Sequence, residues 1–261
     1  MLDAPSNLGL RQLRPGVEPG ARRLCDALRA CGIVERLGAR DAGRVEAPPW
    51  VELFANRAEI PGYTRELAER LGTLLDAGER PFVLGGDCSI LLGAMLALRR
   101  RGRYGLAFVD GHLDFRLVDV DAVAGEDLAI VTGRGEDALA NIDGLRPYVR
   151  DEDVVALGER EGDTIDPAIR VIDLDALRGG EWAVPEIPYW VHVDADVLDL
   201  VAVDSPSPGG LSFDELAMLL RRLLDDGPAV GMQVTVFDPD HDPDGSLAAA
   251  LTDCLVSAAG P

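Results

Sequence analysis

The sequence predicts a three-layer α/β protein built on a mainly parallel sheet, and three observations carry that expectation. Stretches with helical periodicity alternate with short apolar runs. Those runs are almost continuously apolar, as expected of strands covered by helices on both faces. The 261 residues, 47% of them hydrophobic, are enough for one large core.

Taken in order, apolar residues return every three or four positions over 21–37, 63–76, 90–101, 213–224 and 247–257, which predicts amphipathic helices. Between them, 81–84, 105–109, 154–157, 170–172, 190–193 and 229–237 read as buried strands joined by right-handed crossovers. No repeat of fixed period or low-complexity tract interrupts the pattern. The polar stretch 143–153 resembles a boundary, but length favours a single domain over 1–261.

Composition removes several function classes. A formal charge of −21, from 46 acidic and 25 basic residues, opposes binding to phosphate backbones and anionic membranes, so no nucleic-acid or membrane partner is expected. Every basic residue is arginine, and without lysine neither a P-loop nor a pyridoxal Schiff base can form. No G-x-S-x-G or G-x-G-x-x-G is present. There is no signal-like or membrane-spanning stretch, which predicts a cytoplasmic protein. Cys25, Cys31 and Cys254 read as reduced thiols.

In parallel sheets ligands bind beyond the carboxyl ends of the strands, and three runs end in chemistry-bearing residues. The first, FVLGGDCS over 82–89, makes a glycine turn that places Cys88 at a helix start. The second, FVDGHLD over 108–114, offers Asp110, His112 and Asp114 at alternate positions. The third, HVDADVLD over 192–199, puts His192, Asp194 and Asp196 on one strand face. A lone aspartate at a strand end reads equally well as a helix cap, but two such clusters favour metal. Buried carboxylates repel one another strongly without cations. An oxygen-rich set with one imidazole suits Mn²⁺, and shared carboxylates bridge two ions about 3.5–4 Å apart. Two divalent metal ions are therefore the expected cofactors.

These residues resemble the ureohydrolase superfamily of arginase, agmatinase and formiminoglutamase, whose signatures are G-G-D-H-S, D-A-H-x-D and S-x-D-x-D-x-x-D-P. Here they read GGDCS, DGHLD and HVDADVLDL, and the resemblance runs from about residue 82 onward. It implies an arginase-like fold, a small-molecule substrate and homo-oligomers. By motif position it implies that Asp110 and Asp194 bridge both ions, Cys88 and Asp114 complete the first, and His112 and Asp196 the second. It also implies that metal-activated water cleaves a C–N bond of a guanidino, amidino or formimino compound, with Asp114 carrying the proton.

Departures from the family accompany these matches. Cys88 replaces a histidine, keeping a ligand but making it a soft thiolate that also suits Zn²⁺ or Fe²⁺. The family's proton-shuttling histidine has no counterpart in 124–128, where Glu126 and Asp127 are the nearest substitutes. The guanidinium-binding acid falls near Val236, with Asp238 and Asp240 as replacements. Arg116 stands where the family holds an amino-acid head group and suggests a carboxylate on the substrate, against a solvated surface arginine. His192 and His241 remain as proton carriers, His192 from a buried strand face and His241 from an acidic loop over 238–245. The loop over 199–211 resembles a family segment ending in G-G-L, but shortened. The rival readings are a noncatalytic family member serving as a binding or assembly module, and a deacetylase-like enzyme with one zinc.

Overall fold

A computed structural model describes residues 1–12, 14–51, 53–115, 122–163, 165, 168–204 and 206–260. Its seven strands are β1 (Leu2–Asp3), β2 (Phe82–Leu84), β3 (Gly105–Val109), β4 (Val154–Leu157), β5 (Arg170–Ile172), β6 (Tyr189–Asp194) and β7 (Ala229–Thr235). They form one sheet in the order β1-β2-β7-β6-β3-β4-β5, and every pairing is parallel. The α/β class expected from the alternating pattern is the one observed.

Strand alternation splits the core in two. Tyr189, Val191 and Val193 of β6 enter one cluster with Leu24 and Leu28 of α1 (Leu24–Ala30), Leu216 and Leu220 of the helix Phe213–Asp225, and Leu251 and Leu255 near the C-terminus. Trp190 turns to the opposite cluster with Leu67, Leu71, Leu91 and Met95. Each fully buried leucine contributes about 1.5–3 kcal/mol, so both faces need their helices. The remaining helices are α2 (Ile33–Arg36), α3 (Leu53–Asp76), α4 (Leu91–Arg99), α5 (Asp127–Val131), α6 (Asp137–Ala140), α7 (Leu174–Arg178), α8 (Phe213–Asp225) and α9 (Ser246–Ala259). A reciprocal Ser212/Glu215 capping box starts α8.

Three differences from the periodicity have local causes. The helix expected over 21–37 is broken into a 3₁₀ turn (Gly20–Arg23), α1 and α2, because Gly32 adopts φ 76° and ends the first run. The helix expected from residue 63 begins at Leu53, and Pro61 and Gly62 disguise its upstream turns. The two-residue β1 is too short to carry a period, and its pairing with β2 is tertiary.

The topology positions the site. From β3 the chain proceeds outward to β4 and β5, whereas β6 leads the other way to β7, so a crevice opens between the carboxyl ends of β3 and β6. The Gly85–Gly86 turn after β2 packs against the segment from residue 4 to 9. Ser6 O accepts from Asp87 N at 2.8 Å, and a methyl group on Gly86 would overlap that same carbonyl. Gly62, inside α3, has open space around it. Gly86→Ala should therefore cost about 1–3 kcal/mol or more by overpacking, while Gly62→Ala should stabilise by up to about 1 kcal/mol. Urea unfolding of the two variants checks the contrast, and equal effects would contradict this packing.

Candidate metal centre

At or just beyond β2, β3, β6 and β7, one aspartate bends its carboxylate back to the amide two residues on. Asp87 Oδ1 accepts from Ser89 N at 2.7 Å, Asp110 Oδ1 from His112 N at 2.7 Å, Asp194 Oδ1 from Asp196 N at 2.7 Å, and Asp238 Oδ1 from Asp240 N at 2.9 Å. This Asx-type bond starts the turn and fixes the carboxylate. In Asp110 it leaves the second oxygen without a partner, and in Asp194 it leaves the second oxygen to the Cys88 thiol.

Two groups of potential ligands converge there. Cys88, Asp114 and Asp194 form one, and Asp110, His112 and Asp196 the other, each with its donor atoms within 4.8 Å of one another. Cys88 Sγ donates to Asp194 Oδ2 at 2.8 Å and lies 3.0 Å from Thr235 Oγ1, which donates to Val193 O at 3.1 Å. His112 Nδ1 lies 2.8 Å from Asp196 Oδ2 and 3.6 Å from Asp110 Oδ1. Gly111 N donates to the other Asp196 oxygen at 3.1 Å. Asp114 has φ 44°, a left-handed conformation uncommon for a side-chain-bearing residue, as the chain leaves β3.

The electrostatics are those of a cation site. Burial first, and neighbouring carboxylates second, push Asp114 and Asp194 well above the usual carboxyl range; the same causes raise Asp110 to about 7. Burial and then the Asp194 charge push the Cys88 thiol far up. His112 is raised to about 11 by its hydrogen bonds to Asp110 and Asp196. Burial works against the Asp196 charge, but the His112 partner prevails and holds that carboxyl below its ordinary value. Asp110 Oδ2 is buried without a partner. Four carboxylates, an imidazole and a thiol compressed in this way fit divalent cations in place of protons.

A third group, Cys88, Asp127 and His192, lies on the inner side of Cys88, again within 4.8 Å. Asp127 opens α5, is fully buried, and has neither oxygen hydrogen-bonded. Burial and then the charge on Asp110 raise its carboxyl well above the usual range. In the sequence it stands beside Glu126 as one of two substitutes for an absent histidine, and only the fold separates the two. Glu126 is spent on a paired salt bridge to Arg57, at 3.1 Å and 3.2 Å. Thr235 and Gln233 carried no signal of their own, since both lie within an apolar run. The end of β7 sends Thr235 toward Cys88, while Val236, where the guanidinium-binding acid was expected, is held at φ 72°.

The other expected residues are placed as follows. His192 is fully buried beside Asp127. Asp238 is engaged by Gly20 N at 2.9 Å and Asp240 N, and Asp240 pairs with Arg23, so neither joins the ligand groups. His241 is exposed, 4.0 Å from Asp238 Oδ2, and likewise stands outside them. Arg116 lies outside the described residues.

Fold and site together define a doubly wound, parallel α/β protein with a carboxylate-rich pocket at its switch point. The sequence matches the Arginase family over residues 2–259, and the chain belongs to that family. It is similar to an arginase of Bacillus subtilis (strain 168), 25% identical over an alignment of 291 positions that covers 98% of this chain and 96% of that one. Among solved structures, arginase from Bacillus subtilis superposes with a TM-score of 0.86 at 21% identity, covering 100% of this chain and 97% of that one. Proclavaminate amidino hydrolase from Streptomyces clavuligerus superposes with a TM-score of 0.74 at 23% identity, covering 99% and 89%. No helix among the described residues is long and apolar enough to cross a membrane.

Protons on His112 and on the raised carboxyls must leave before a cation can bind, so rising pH favours the metal. Apparent Mn²⁺ affinity should climb at least about tenfold per pH unit between pH 6 and 8, one proton released per tenfold. Titration calorimetry in buffers of differing ionisation enthalpy counts the protons, and an affinity flat in pH would contradict the compressed site.

Proposed function

We propose that this arginase-family chain is a metal-dependent hydrolase that cleaves a C–N bond of a guanidino, amidino or formimino compound. The observation that carries the reading is the pair of ligand groups side by side at the crevice between β3 and β6. Cys88, Asp114 and Asp194 would hold one divalent ion and Asp110, His112 and Asp196 the other. Asp110 has an unpartnered oxygen, and the second oxygen of Asp194 is held only by the Cys88 thiol, so either would be available to a cation, as their motif positions suggest. Bound ions of this kind supply Lewis acidity, which makes water nucleophilic near neutral pH and polarises the scissile carbon.

The chain's own groups do the rest. One oxygen each of Asp110 and Asp194 is fixed by the backbone, so their orientation is set before substrate arrives. Asp114, partly buried and on a turn with positive φ, would accept a proton and return it to the leaving amine, as its motif position suggests. Val236 stands where an acid is expected, so recognition of a cationic guanidinium is weakened. That substitution favours substrates with a smaller or less charged reacting group, and it is also what motivates the alternative of a noncatalytic binding module.

The mixed donor set suits Mn²⁺ through its carboxylates, while Cys88 draws the first position toward Zn²⁺ or Fe²⁺. Incubating the Mn²⁺-loaded protein with arginine, agmatine, guanidino acids and formimino-glutamate should release urea, formamide or an amine from at least one of them. Asp114→Asn should lower kcat by about 100-fold or more. Turnover of none, with both ions bound, would support the binding-module alternative. Cys88→Ala should weaken metal binding by about tenfold or more, and Cys88→His should shift preference from Zn²⁺ toward Mn²⁺. Unchanged affinity in both would remove Cys88 from the ligand set.

A further inference from the structure

A polar ladder climbs one face of the sheet and ends at the metal centre. Trp190 and His192 lie on the same face of β6, and Gln233 of β7 is in register with His192. The Trp190 indole Nε1–H donates to Gln233 Oε1 at 3.0 Å, and Gln233 Nε2 lies 2.8 Å from His192 Nδ1. None of the three is more than 1% exposed. The imidazole stacks on Phe108 with centroids 4.8 Å apart and planes 19° apart, which holds the ring in place.

The order of donors fixes a tautomer. An indole nitrogen only donates, so the Gln233 oxygen has to face Trp190 and its amide nitrogen has to face His192. That amide nitrogen also only donates, so His192 Nδ1 has to accept. The neutral ring then carries its proton on Nε2.

Nε2 points away from the ladder and has no hydrogen-bond partner. It lies 3.9 Å from Asp127 Oδ2, with the Cys88 sulfur in the same group. The spacing is that of metal ligands, but a nitrogen that bears a proton has no lone pair to give. To ligate, Nδ1 would need the proton, and Gln233 would have to turn its amide toward the indole N–H, opposing two buried donors.

We propose that His192 is a positioning residue, a tautomer-locked Nε2–H that faces the Cys88 and Asp127 side of the centre. Four ligand carboxylates already balance two divalent ions, so a thiolate in place of a neutral imidazole leaves one surplus negative charge. His192 answers it from the motif position where the family signature has serine. The lock rests on Trp190 and Gln233 alone. Its role toward Cys88 rests on the proposed metal reading.

The chain has only three histidines, so ¹⁵N-histidine labelling of the full protein resolves each ring. Long-range ¹H–¹⁵N correlation should find the His192 proton on Nε2 both without metal and after loading with ¹¹³Cd²⁺. Cadmium should couple to a His112 nitrogen and not to His192. In Gln233→Glu the carboxylate only accepts, so the His192 proton should move to Nδ1. The freed Nε2 lone pair should then raise Cd²⁺ affinity by about tenfold or more, as an added ligand would. If that variant does not fold, Trp190→Phe removes the N–H that orients Gln233 and should yield both tautomers. A bare Nε2 in the unmodified protein, or cadmium coupling to it, overturns the proposal. Failure of every histidine and cysteine to bind cadmium overturns the metal reading and the donor's role, while the metal-free spectrum still reads the lock separately.

Discussion

The site depends on one repeated interaction, the hydrogen bond from an amide two residues on to the carboxylate of a strand-terminal aspartate. It occurs after four adjacent strands, at Asp87, Asp110, Asp194 and Asp238. In each case the bond turns the chain out of the sheet and immobilises a carboxylate. What differs is the second oxygen. That of Asp87 is consumed by Ser6 and Gly9, and that of Asp238 by Gly20, so these two fasten the amino-terminal segment to the sheet. That of Asp110 has no partner and that of Asp194 meets only the Cys88 thiol, in a cluster where like charges crowd together and cations are the natural relief.

Capping and metal binding, which look like rival explanations of a strand-end aspartate, are therefore compatible in one side chain. A carboxylate has two oxygens, and the backbone takes only one of them. The positional asymmetry follows from topology: β3 and β6 flank the switch point, whereas the corresponding aspartates of β2 and β7 meet the incoming chain. Rigid backbone attachment also keeps the reactive oxygens from rearranging when a ligand arrives, which is the preorganisation that hydrolytic sites need.

Much of this was legible in the sequence because strand-end motifs are local. The apolar runs marked six of the seven strands among the described residues, and the alternation of Asp110, His112 and Asp114, and of Asp194 and Asp196, anticipated which side chains would gather. Cys88 could be paired with them only through the motif resemblance, since 106 residues separate it from the carboxylate it touches. Other features were not legible. Asp127 and Glu126 are neighbours of like charge, and only the reach of Arg57 decides which of them is neutralised. Gln233 and Thr235 lie in a run of apolar residues and gain their meaning from register with His192 and Asp194 across β6 and β7. Asp238, Asp240 and His241 form an acidic motif whose partners, Gly20 and Arg23, lie more than two hundred residues earlier in the chain. No local pattern could have assigned them to capping.

The departures from the family pattern are spatially connected. Cys88, His192 and Asp127, which the motif resemblance marks as lying in or near the departing positions, meet on one side of the cluster. The most direct test of the central claim is anomalous scattering from a crystal grown with Mn²⁺. The account predicts two ions per chain about 3.5–4 Å apart, bridged by Asp110 and Asp194, with Cys88 on one and His112 on the other. A single ion, or two ions that leave Cys88 and Asp194 uncoordinated, would contradict it.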